Sequence, residues 1–594
     1  MNHNLLLLGS PEKAAKLCDT LGENAAVPAA CFCIHNSSAA VRDGDLLCVF
    51  SGTVYSYADA ALPQSRPEDY LLAAWRKYGE DFLNQLEGKF ILALADLREK
   101  TLFFARDHFG GMPLYWCCGG DFAAVSGELS TLANSGLLPK ALSRAGLCDL
   151  FSLRFIPAPD TIFEGIHALL AGHCVMARFR DGRVTVEEKC WWDVDCRSEG
   201  MIRDYERCKK ELREAVIQAV DARSFPSRNG VFLSGGIDST IVTGVASTLL
   251  GRQIDTFTIG FNEEAYDESP RAKIAAEAHH TDHHVYVLDY NEALEELDGI
   301  IAGFDQPFAD DSAVPTWVIN RFAASQGVEN VLTGDGSDQI FAGSNKYFIR
   351  HYVDKLMKVP APIRALARTA VYALPDNNAR MRKVRKVFSC ADMTPYEMRR
   401  RMLQLCLGDE ELEFLLMGKT VDRAQDTVAK LYRIKQDETD ELTNTLYVDL
   451  KIVADGAMMT KMGSMSRLAG VNTHMPLLSK GVLDAAFRTP PEFKQKGGSG
   501  KLILKDAFSD VIPPELMQAS KKGFMPPVAS WFRGPLLEDL KKEIAPQRME
   551  AIGLFDPALV TLMINEHLSL KNDRAVVLWA LYVFSKWYRK EFGV

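Results

Sequence analysis

Residues 1–195 contain short runs of apolar residues that are separated by turn residues, a pattern typical of β-strands. Clear examples are LLCVFSG at 46–52 and FILALADLREKTLFFARD at 90–107. The opening MNHNLLLLGS has four consecutive leucines and no basic segment before them, so it predicts an initial strand rather than a signal peptide or a membrane span. The pattern predicts a β-rich domain with a few helices over residues 1–195.

The apolar spacing changes after residue 195, where helical intervals link Leu212, Ala215, Val216, Ala219 and Val220. Short apolar strands then alternate with helices. The strands are predicted at 230–233, 255–261, 283–288 and 330–334, and the helices at 239–250 and from Ser269 onward. This alternation predicts an α/β domain at 196–594 with a doubly wound parallel sheet, ligands at the carboxyl ends of its strands, and a helical part from about residue 345.

Composition narrows the class of protein. A chain of 594 residues with 47% hydrophobic and 25% charged residues is expected to form two or three folded domains. The net charge of -10 and the scattered Lys and Arg residues offer no basic face for nucleic acid. We therefore expect a cytoplasmic protein with no nucleic-acid partner and no membrane partner. The thirteen cysteines lack the paired spacing of a zinc site and are expected to be reduced thiols.

One glycine-rich loop carries the strongest chemical signal. It lies between the strand predicted at 230–233 and the helix that follows, and it reads Ser234, Gly235, Gly236, Ile237, Asp238 and Ser239. Glycines let backbone N–H groups approach an anion, serines add hydroxyl donors, and the helix presents its positive end. The spacing matches neither a Walker loop nor a dinucleotide fold. The loop predicts a pyrophosphate cradle; the alternative is a plain turn from strand to helix.

A second loop supplies a partner for Asp238. TGDGSD at 333–338 follows the strand predicted at 330–334 and ends in Asp338. Two carboxylates that face one phosphate site suit Mg²⁺, which takes oxygen ligands. The alternative is that either aspartate is a helix N-cap.

Four segments in this order resemble the synthetase domain of the asparagine synthetase family, which is of the PP-loop ATP pyrophosphatase type: SGGIDS, DQPFADDSAVPT (305–316), TGDGSDQIFAG (333–343) and KKGFMPPVASWFRG (521–534). The resemblance implies that ATP adenylates a substrate carboxylate with release of pyrophosphate, and that an amine then attacks the acyl-AMP. It also implies Mg²⁺ ligands at Asp238 and Asp338, and nucleotide contacts at Leu233, Ile259, Thr333 and Gly334.

The same resemblance implies two catalytic residues. GSGKLILKDAF (498–508) matches the family segment whose lysine lies beside the reacting acyl phosphate, which corresponds to Lys501. A cation there would counter negative charge that develops during the reaction. Asp335 occupies the acidic position of the family's second loop and is a candidate for accepting the amine's proton. The alternatives are a surface lysine and an ordinary loop carboxylate.

The N-terminal domain resembles the class II glutaminase domain of that family, a four-layer α/β/β/α sandwich, on the segments 86–116 and 154–173. The family's nucleophile is an N-terminal cysteine, whereas residue 2 here is Asn. Ser51 and Thr53 replace the asparagine and the glutamate of the family's N-G-E-I-Y-N segment. Cleavage that exposes Cys18, Cys31 or Cys33 is an alternative, although none of these is followed by the family's Gly-Ile pair.

Five further positions have lost the charge that the family carries there: Gly463, Ser464, Asn472, His474 and Ser479. One interpretation is the loss of internal ion pairs, whose replacement can cost little stability. The other is a pocket that is reshaped for a substrate other than free aspartate.

These features predict an AMP-forming amide ligase whose amine arrives with the substrate, similar to β-lactam synthetases and lasso-peptide cyclases. The expected partner is a small-molecule or peptide substrate, with a precursor peptide or its processing protein as a further possibility. One alternative is an ammonia-dependent asparagine synthetase, and another is a scaffold without catalysis. The sequence leaves the oligomeric state open.

Overall fold

A computed structural model of the protein describes residues 5–21, 25–29, 31–35, 40–59, 61–62, 65–225, 227–261, 267–374, 379–420, 427–435, 437–517 and 526–593. Asn2 and residues 521–525 of the predicted family segment lie outside these ranges. The described N-terminal part begins with strands that are named in chain order: β1 (Leu5–Gly9), β2 (Ala25–Ala29), β3 (Phe32–His35), β4 (Ala40–Asp43), β5 (Leu46–Tyr57), β6 (Leu86–Asp96), β7 (Thr101–Arg106), β8 (Tyr115–Cys118), β9 (Phe122–Ser126), β10 (His167–Ala168), β11 (His173–Arg180) and β12 (Arg183–Cys190).

These strands form two antiparallel sheets. The first has the order β10-β8-β9-β1-β3-β2 and the second β12-β11-β7-β6-β5-β4. Helices of this region pack outside them: α1 (Pro11–Leu21), α2 (Pro67–Tyr78), α3 (Leu129–Ala133) and α4 (Arg144–Leu153). One apolar cluster lies between the sheets, and another lies between the second sheet and α2. The predicted four-layer α/β/β/α sandwich is confirmed.

The leucines of β1 show why the sequence forms these layers. Successive side chains of a strand point to opposite faces of its sheet. Accordingly, Leu5 and Leu7 belong to the cluster that includes α1 and α4, whereas Leu6 and Leu8 belong to the cluster between the sheets. The four consecutive apolar residues form the predicted initial strand, and the structure adds that this strand is buried on both faces.

The C-terminal part contains a parallel sheet in the order β15-β14-β13-β16-β17. Four of its strands occupy the predicted positions, and the short fifth strand comes from a distant segment that was not predicted. The five strands are β13 (Asn229–Phe232), β14 (Asp255–Gly260), β15 (Asp282–Val287), β16 (Asn330–Leu332) and β17 (Asn472–His474).

Helices surround this sheet and form the rest of the chain. None of the described helices is long and apolar enough to cross a membrane. In chain order they are α5 (Tyr205–Ala222), α6 (Ile237–Gly244), α7 (Ser269–Ala278), α8 (Tyr290–Glu295), α9 (Leu297–Ala302), α10 (Ala313–Ser325), α11 (Ser337–Ile340), α12 (Ile349–Met357), α13 (Ala361–Ala373), α14 (Ala379–Ser389), α15 (Pro395–Leu403), α16 (Asp409–Leu415), α17 (Thr427–Lys435), α18 (Glu441–Asp449), α19 (Thr460–Ala469), α20 (Lys480–Phe487), α21 (Pro491–Lys494), α22 (Leu502–Ala507), α23 (Val528–Trp531), α24 (Leu537–Glu543), α25 (Pro546–Ile552), α26 (Pro557–Leu568) and α27 (Ala575–Phe592).

Local sequence explains two helix positions that frame the site. The Asp204 side chain caps α5 by accepting a hydrogen bond from the Arg207 N–H, and the helix buries one apolar stripe as its spacing predicted. Helix α7 begins at Ser269, as predicted, and Pro270 lies in its first turn. After Gly244 the helix α6 continues as a π-helical turn over Val245–Leu249.

The two parts of the chain share buried contacts. Arg106, at the end of β7, forms a buried ion pair with Asp455 at 2.7 Å. Phe163 contacts Trp587 of α27 with ring centroids 5.7 Å apart. The N-terminal layers therefore pack directly against the part that contains the parallel sheet.

Candidate active site

The loop 234–239 joins the carboxyl end of β13 to α6. Gly235 has a φ of +69°, and a Cβ there would lie 2.5 Å from the Arg271 carbonyl carbon, so glycine is needed. The Ser239 hydroxyl accepts a hydrogen bond from the Ser234 N–H at 3.2 Å and donates one to the Gly236 carbonyl at 3.2 Å. These bonds hold the loop in a closed turn at the start of a helix, the geometry expected of a phosphate cradle.

The second loop touches the first. A Cβ at Gly334 would lie 2.6 Å from the Ser239 nitrogen and 2.7 Å from the Asp238 carbonyl carbon. Thr333 donates its hydroxyl to the Asp335 carboxylate at 3.1 Å, and its N–H donates to the His474 carbonyl at 2.9 Å. Because β13 and β16 are neighbours in a parallel sheet, both loops lie at its carboxyl edge.

Lys501 lies between the two predicted metal carboxylates. Its Nζ is 2.5 Å from Asp238 Oδ2 and 2.5 Å from Asp338 Oδ1. Only 9% of the lysine side chain is exposed. The structure thus brings Asp238, Asp338 and Lys501 together, although they are far apart in the sequence. The alternative of a surface lysine does not fit this burial.

The backbone around Lys501 is specialised. The residue has a φ of +58°, an unusual conformation for a non-glycine residue, and its N–H donates to the Phe341 carbonyl at 2.9 Å. A Cβ at Gly343 would lie 2.0 Å from Lys501 Cε, so a side chain at 343 would displace the lysine. Such conformations concentrate at functional sites, where the surrounding structure stabilises them.

The carboxylates fit a divalent cation. Asp238 Oδ1 is buried and has no hydrogen-bond partner among the described residues. A buried carboxylate oxygen without a partner is costly unless a cation or water satisfies it. Oxygen donors from two aspartates are the ligands that Mg²⁺ prefers. Neither side chain makes an N-cap hydrogen bond in α6 or α11, so the helix-cap alternative is not supported.

The remaining predicted residues lie around this centre. Leu233 and Ile259 are buried at the carboxyl ends of β13 and β14, and the Leu233 N–H donates to the Phe257 carbonyl at 2.9 Å. Asp335 is partly exposed on the second loop and is fixed there by Thr333. The structure therefore collects every predicted site residue at one edge of the sheet.

Sequence analysis missed a buried network next to the second loop. Asp449, at the end of α18, accepts a hydrogen bond from the Tyr347 hydroxyl at 2.5 Å and pairs with Lys346 at 2.8 Å and with Arg399. Burial raises the pKa of Tyr347, so its hydroxyl keeps its proton and donates. No sequence motif indicates this network, because its members come from three separate helical segments.

Arg154 is a second residue that was missed. Its Nη2 lies 2.5 Å from Asp310 and 2.9 Å from Asp311, both within the predicted segment 305–316. Lys461 donates to the Ser312 hydroxyl at 2.6 Å and pairs with Asp310 at 3.2 Å. The N-terminal part thus contributes a charged side chain to a segment of the synthetase-like part.

A cavity of about 510 Å³ lies between the two parts of the chain. Its lining includes six of the positions where the sequence departs from the resembled family, namely Ser51, Thr53, Gly463, Ser464, Asn472 and His474. Ser479, the remaining position that has lost a charge, caps α20 by accepting a hydrogen bond from the Val482 N–H. Most of the positions that have lost a charge therefore line the boundary between the two parts of the chain, rather than the phosphate loop.

The walls of this cavity are polar and partly charged. Burial lowers the pKa of Lys89 to about 8 and raises the pKa of Asp305 to about 6. Lys89 Nζ donates to the Thr473 carbonyl at 3.2 Å. Burial also lowers the pKa of His474, which is 1% exposed, so its ring is neutral at pH 7. This cavity can accommodate a polar ligand or ordered water.

Comparisons with known proteins agree with the geometry. A family model described as asparagine synthase matches residues 211–589, and one described as a glutamine amidotransferase domain matches residues 39–192. The chain is 24% identical to asparagine synthetase [glutamine-hydrolyzing] 1 of Bacillus subtilis (strain 168), over 91% of this chain and 85% of that protein. It is 23% identical to amidase chyE of Penicillium rubens, over 82% of this chain and 77% of that protein.

Proposed function

The chain belongs to the asparagine synthase family, and on this premise we propose that it uses ATP to adenylate a substrate carboxylate and joins the activated acyl group to an amine carried by its substrate. Family membership makes it an AMP-forming carbon–nitrogen ligase. The observation that carries the proposal is the buried Asp238–Lys501–Asp338 arrangement beside the glycine loop. A scaffold without catalysis would not need it.

The phosphate loop and its neighbours would bind the nucleotide. Backbone N–H groups at 235 and 236 and the hydroxyls of Ser234 and Ser239 would hold the β and γ phosphates, and Asp238 and Asp338 would hold Mg²⁺. When bound, Mg²⁺ neutralises phosphate charge. A substrate carboxylate oxygen then forms a bond to the α-phosphorus, and the bond to pyrophosphate breaks.

In the second step the amine nitrogen forms a bond to the acyl carbon, and AMP leaves with the electrons of the acyl–oxygen bond. Lys501 is placed to counter the negative charge that develops on the acyl and phosphate oxygens. The attacking amine must lose a proton, and the Asp335 carboxylate on the same edge is the group that we assign to accept it.

Glutamine is not the nitrogen source in this proposal. Ser51 and Thr53 replace side chains that the resembled glutaminases use. Exposure of Cys31 or Cys33 by cleavage would remove β1, which lies between β3 and β9 inside the first sheet. Loss of an internal strand that is buried on both faces would disrupt that domain.

The amine instead belongs to the substrate, a small molecule or a peptide, and the reaction takes place in the cytoplasm. A larger substrate positions its own amine by binding, which raises the amine's effective concentration and removes the need for released ammonia. The amidase names of two fungal relatives accord with chemical variety among similar proteins. The name of the Bacillus subtilis relative favours a second candidate, an asparagine synthetase. Because Ser51 and Thr53 replace the glutaminase side chains, such a synthetase would take free ammonia.

A substrate screen tests the proposal. The protein is incubated with ATP, Mg²⁺ and candidate amino-acid derivatives or peptides, and pyrophosphate release is measured. Pyrophosphate and AMP that appear only with a substrate containing both a carboxylate and an amine support it. Glutamate release from glutamine that is coupled to product formation would contradict it, and so would ADP as the main nucleotide product.

A further inference from the structure

The helical part of the chain contains a concentrated positive charge. Residues 350–386 include ten Lys or Arg and two Asp or Glu, a net charge of +8 in a chain whose total is -10. The expectation that basic residues are scattered is therefore wrong for this segment. Its described residues form α12, α13 and α14.

Helix α13 exposes an apolar stripe in the middle of this segment. None of its residues is buried. Ile363 is 58% exposed, Leu366 is 74% exposed, and Leu374, directly after the helix, is 49% exposed. Together with Ala370 these residues recur at intervals of three and four, which places them on one side of a helix. A continuous apolar stripe that no element of the described ranges covers marks an interaction surface.

The helix is held in place by its neighbours. Arg385 of α14 donates hydrogen bonds to the carbonyls of Val371 at 3.4 Å and Tyr372 at 3.3 Å, near the end of α13. At the other end, Arg364 donates to the Val359 carbonyl at 3.1 Å. The apolar stripe is therefore presented by a braced helix and not by a loose tail.

The same segment exposes cations on all three of its helices. They are Lys355 on α12, Arg368 on the polar side of α13, and Lys383 on α14; Lys358 directly follows α12. Arg368 is 53% exposed; its guanidinium pairs with the Asp392 carboxylate at 3.5 Å and lies 6.0 Å from the Tyr372 ring centroid. Apolar side chains between basic ones are typical of a helix that lies in the plane of a membrane surface.

We propose that α13 docks on an anionic phospholipid surface. Ile363 and Leu366 enter the boundary between headgroups and acyl chains, and the long Lys and Arg side chains of the same segment reach lipid phosphates. At 13 residues the helix is too short to span a bilayer, so it lies along the surface. The exposure of the apolar stripe is visible only in the folded protein, whereas the basic cluster is present in the sequence and was missed when no membrane partner was expected.

Two other occupants fit less well. A second copy of the chain would bring one segment of charge +8 against another, and like charges repel. An acidic peptide would satisfy the cations, but a single convex helix offers it no groove for apolar side chains. An anionic lipid surface satisfies both the charge and the apolar stripe.

Vesicle sedimentation tests the proposal. The full chain is mixed with vesicles of phosphatidylcholine alone or of phosphatidylcholine with phosphatidylglycerol, at low and high salt. We expect binding only to the anionic vesicles, with a loss at high salt of roughly fivefold per screened basic residue. The variant I363S/L366S should bind at least about thirtyfold more weakly, because two exposed apolar side chains no longer enter the lipid.

Phe414 provides a matched control. It is 71% exposed but lies on the acidic helix α16, so F414S should bind vesicles as the unaltered protein does. Circular dichroism should show that both variants are folded. Absence of binding to anionic vesicles would overturn the proposal, as would equal binding by I363S/L366S. A dimer that I363S/L366S abolishes would assign the stripe to a second copy, and stronger binding to polyglutamate than to vesicles would assign it to an acidic polypeptide.

Discussion

The Tyr55 hydroxyl lies 2.9 Å from Nδ1 of His474, although the two residues are 419 positions apart in the sequence. Tyr55 belongs to β5 of the amidotransferase-like part, and His474 ends β17 of the parallel sheet. The His474 carbonyl accepts the N–H of Thr333, the first residue of the second site loop. This hydrogen bond and the one from Lys89 to the Thr473 carbonyl connect the N-terminal part to the backbone that supports the candidate nucleotide site.

We predict that Tyr55→Phe weakens the contact between the N-terminal part and β17. The buried imidazole nitrogen would lose its partner, which should lower the free energy of unfolding by about 1–3 kcal/mol. Urea unfolding measures this change, and pyrophosphate release should show a lower kcat with a smaller effect on KM for ATP. The control is Tyr57→Phe on the same strand, because the Tyr57 hydroxyl makes no hydrogen bond to a described residue. Equal stability of both variants would contradict the prediction.

The sequence predicted the parts of this fold that local patterns encode. Four strands of the parallel sheet alternate with helices and were found at their predicted positions, whereas β17 has three residues and follows a helical stretch, so no periodicity reveals it. Its partner β16 lies about 140 residues earlier in the chain, and only tertiary contact makes it a strand.

The candidate site also has some features that local sequence patterns predict and others that only tertiary contacts reveal. Glycines, serines and aspartates at strand ends pointed to the phosphate loop, because that chemistry depends on short local spacing. Contacts such as Arg154 with Asp310, or Tyr347 with Asp449, join side chains that share no local motif. The interface position of Gly463 and Asn472 also became visible only when both parts of the chain were placed together.

Asp238 should be essential for the release of pyrophosphate. Asp238→Asn removes one of the two carboxylates that would hold Mg²⁺, which should reduce the rate on the order of a thousandfold. The matched control is Asp510→Asn, since Asp510 is 58% exposed and pairs with Arg213 away from the site. A variant at 238 that keeps more than a tenth of the activity would rule out the assigned metal role.

Replacement of Lys501 should lower the stability of the protein, because the carboxylates of Asp238 and Asp338 would then repel each other. In Lys501→Met the carboxylates of Asp238 and Asp338 lose their shared ammonium, and loss of a buried charge partner typically costs about 3–5 kcal/mol. We expect a lower melting temperature that millimolar Mg²⁺ partly restores, because the cation can replace the ammonium.

This thermal measurement does not depend on catalysis. Lys505→Met, one turn further along α22, keeps the ammonium between the aspartates and should melt near the unaltered protein, with a smaller response to Mg²⁺. If Mg²⁺ stabilises Lys501→Met no more than Lys505→Met, the two carboxylates do not form a metal site.

His108 should make stability depend on pH. Burial, together with the positive charges of Lys480 and Arg223, lowers the pKa of His108 to about 3. The unfolded chain therefore binds a proton that the folded chain excludes, so this contribution is complete above pH 6.5 and is lost as the pH falls toward 3. Between pH 7 and pH 5 the loss is about 2 kcal/mol.

Urea unfolding at the two pH values measures this effect. His108→Phe removes the titrating group while keeping an aromatic ring beside Trp191, whose ring centroid is 4.5 Å away, so its stability should fall less between pH 7 and pH 5. His280→Asn alters an exposed histidine and should retain the full dependence. The same slope in His108→Phe as in the unaltered protein would show that other groups cause the dependence.

Free aspartate with ammonium should be a poor substrate pair. Ser51 and Thr53 replace the side chains that the resembled glutaminases use to release ammonia from glutamine. The cavity that they line also contains Gly463 and Asn472, where the resembled family carries charged residues. A substrate that brings its own amine gains effective concentration from the binding of its remaining atoms. Asparagine formation at saturating aspartate, ammonium, ATP and Mg²⁺, followed by amino-acid analysis, should therefore stay far below one turnover per second. A turnover near one per second that Lys501→Ala abolishes would instead establish an ammonia-dependent synthetase, because it would show that free ammonia reaches the acyl-AMP without help from the substrate.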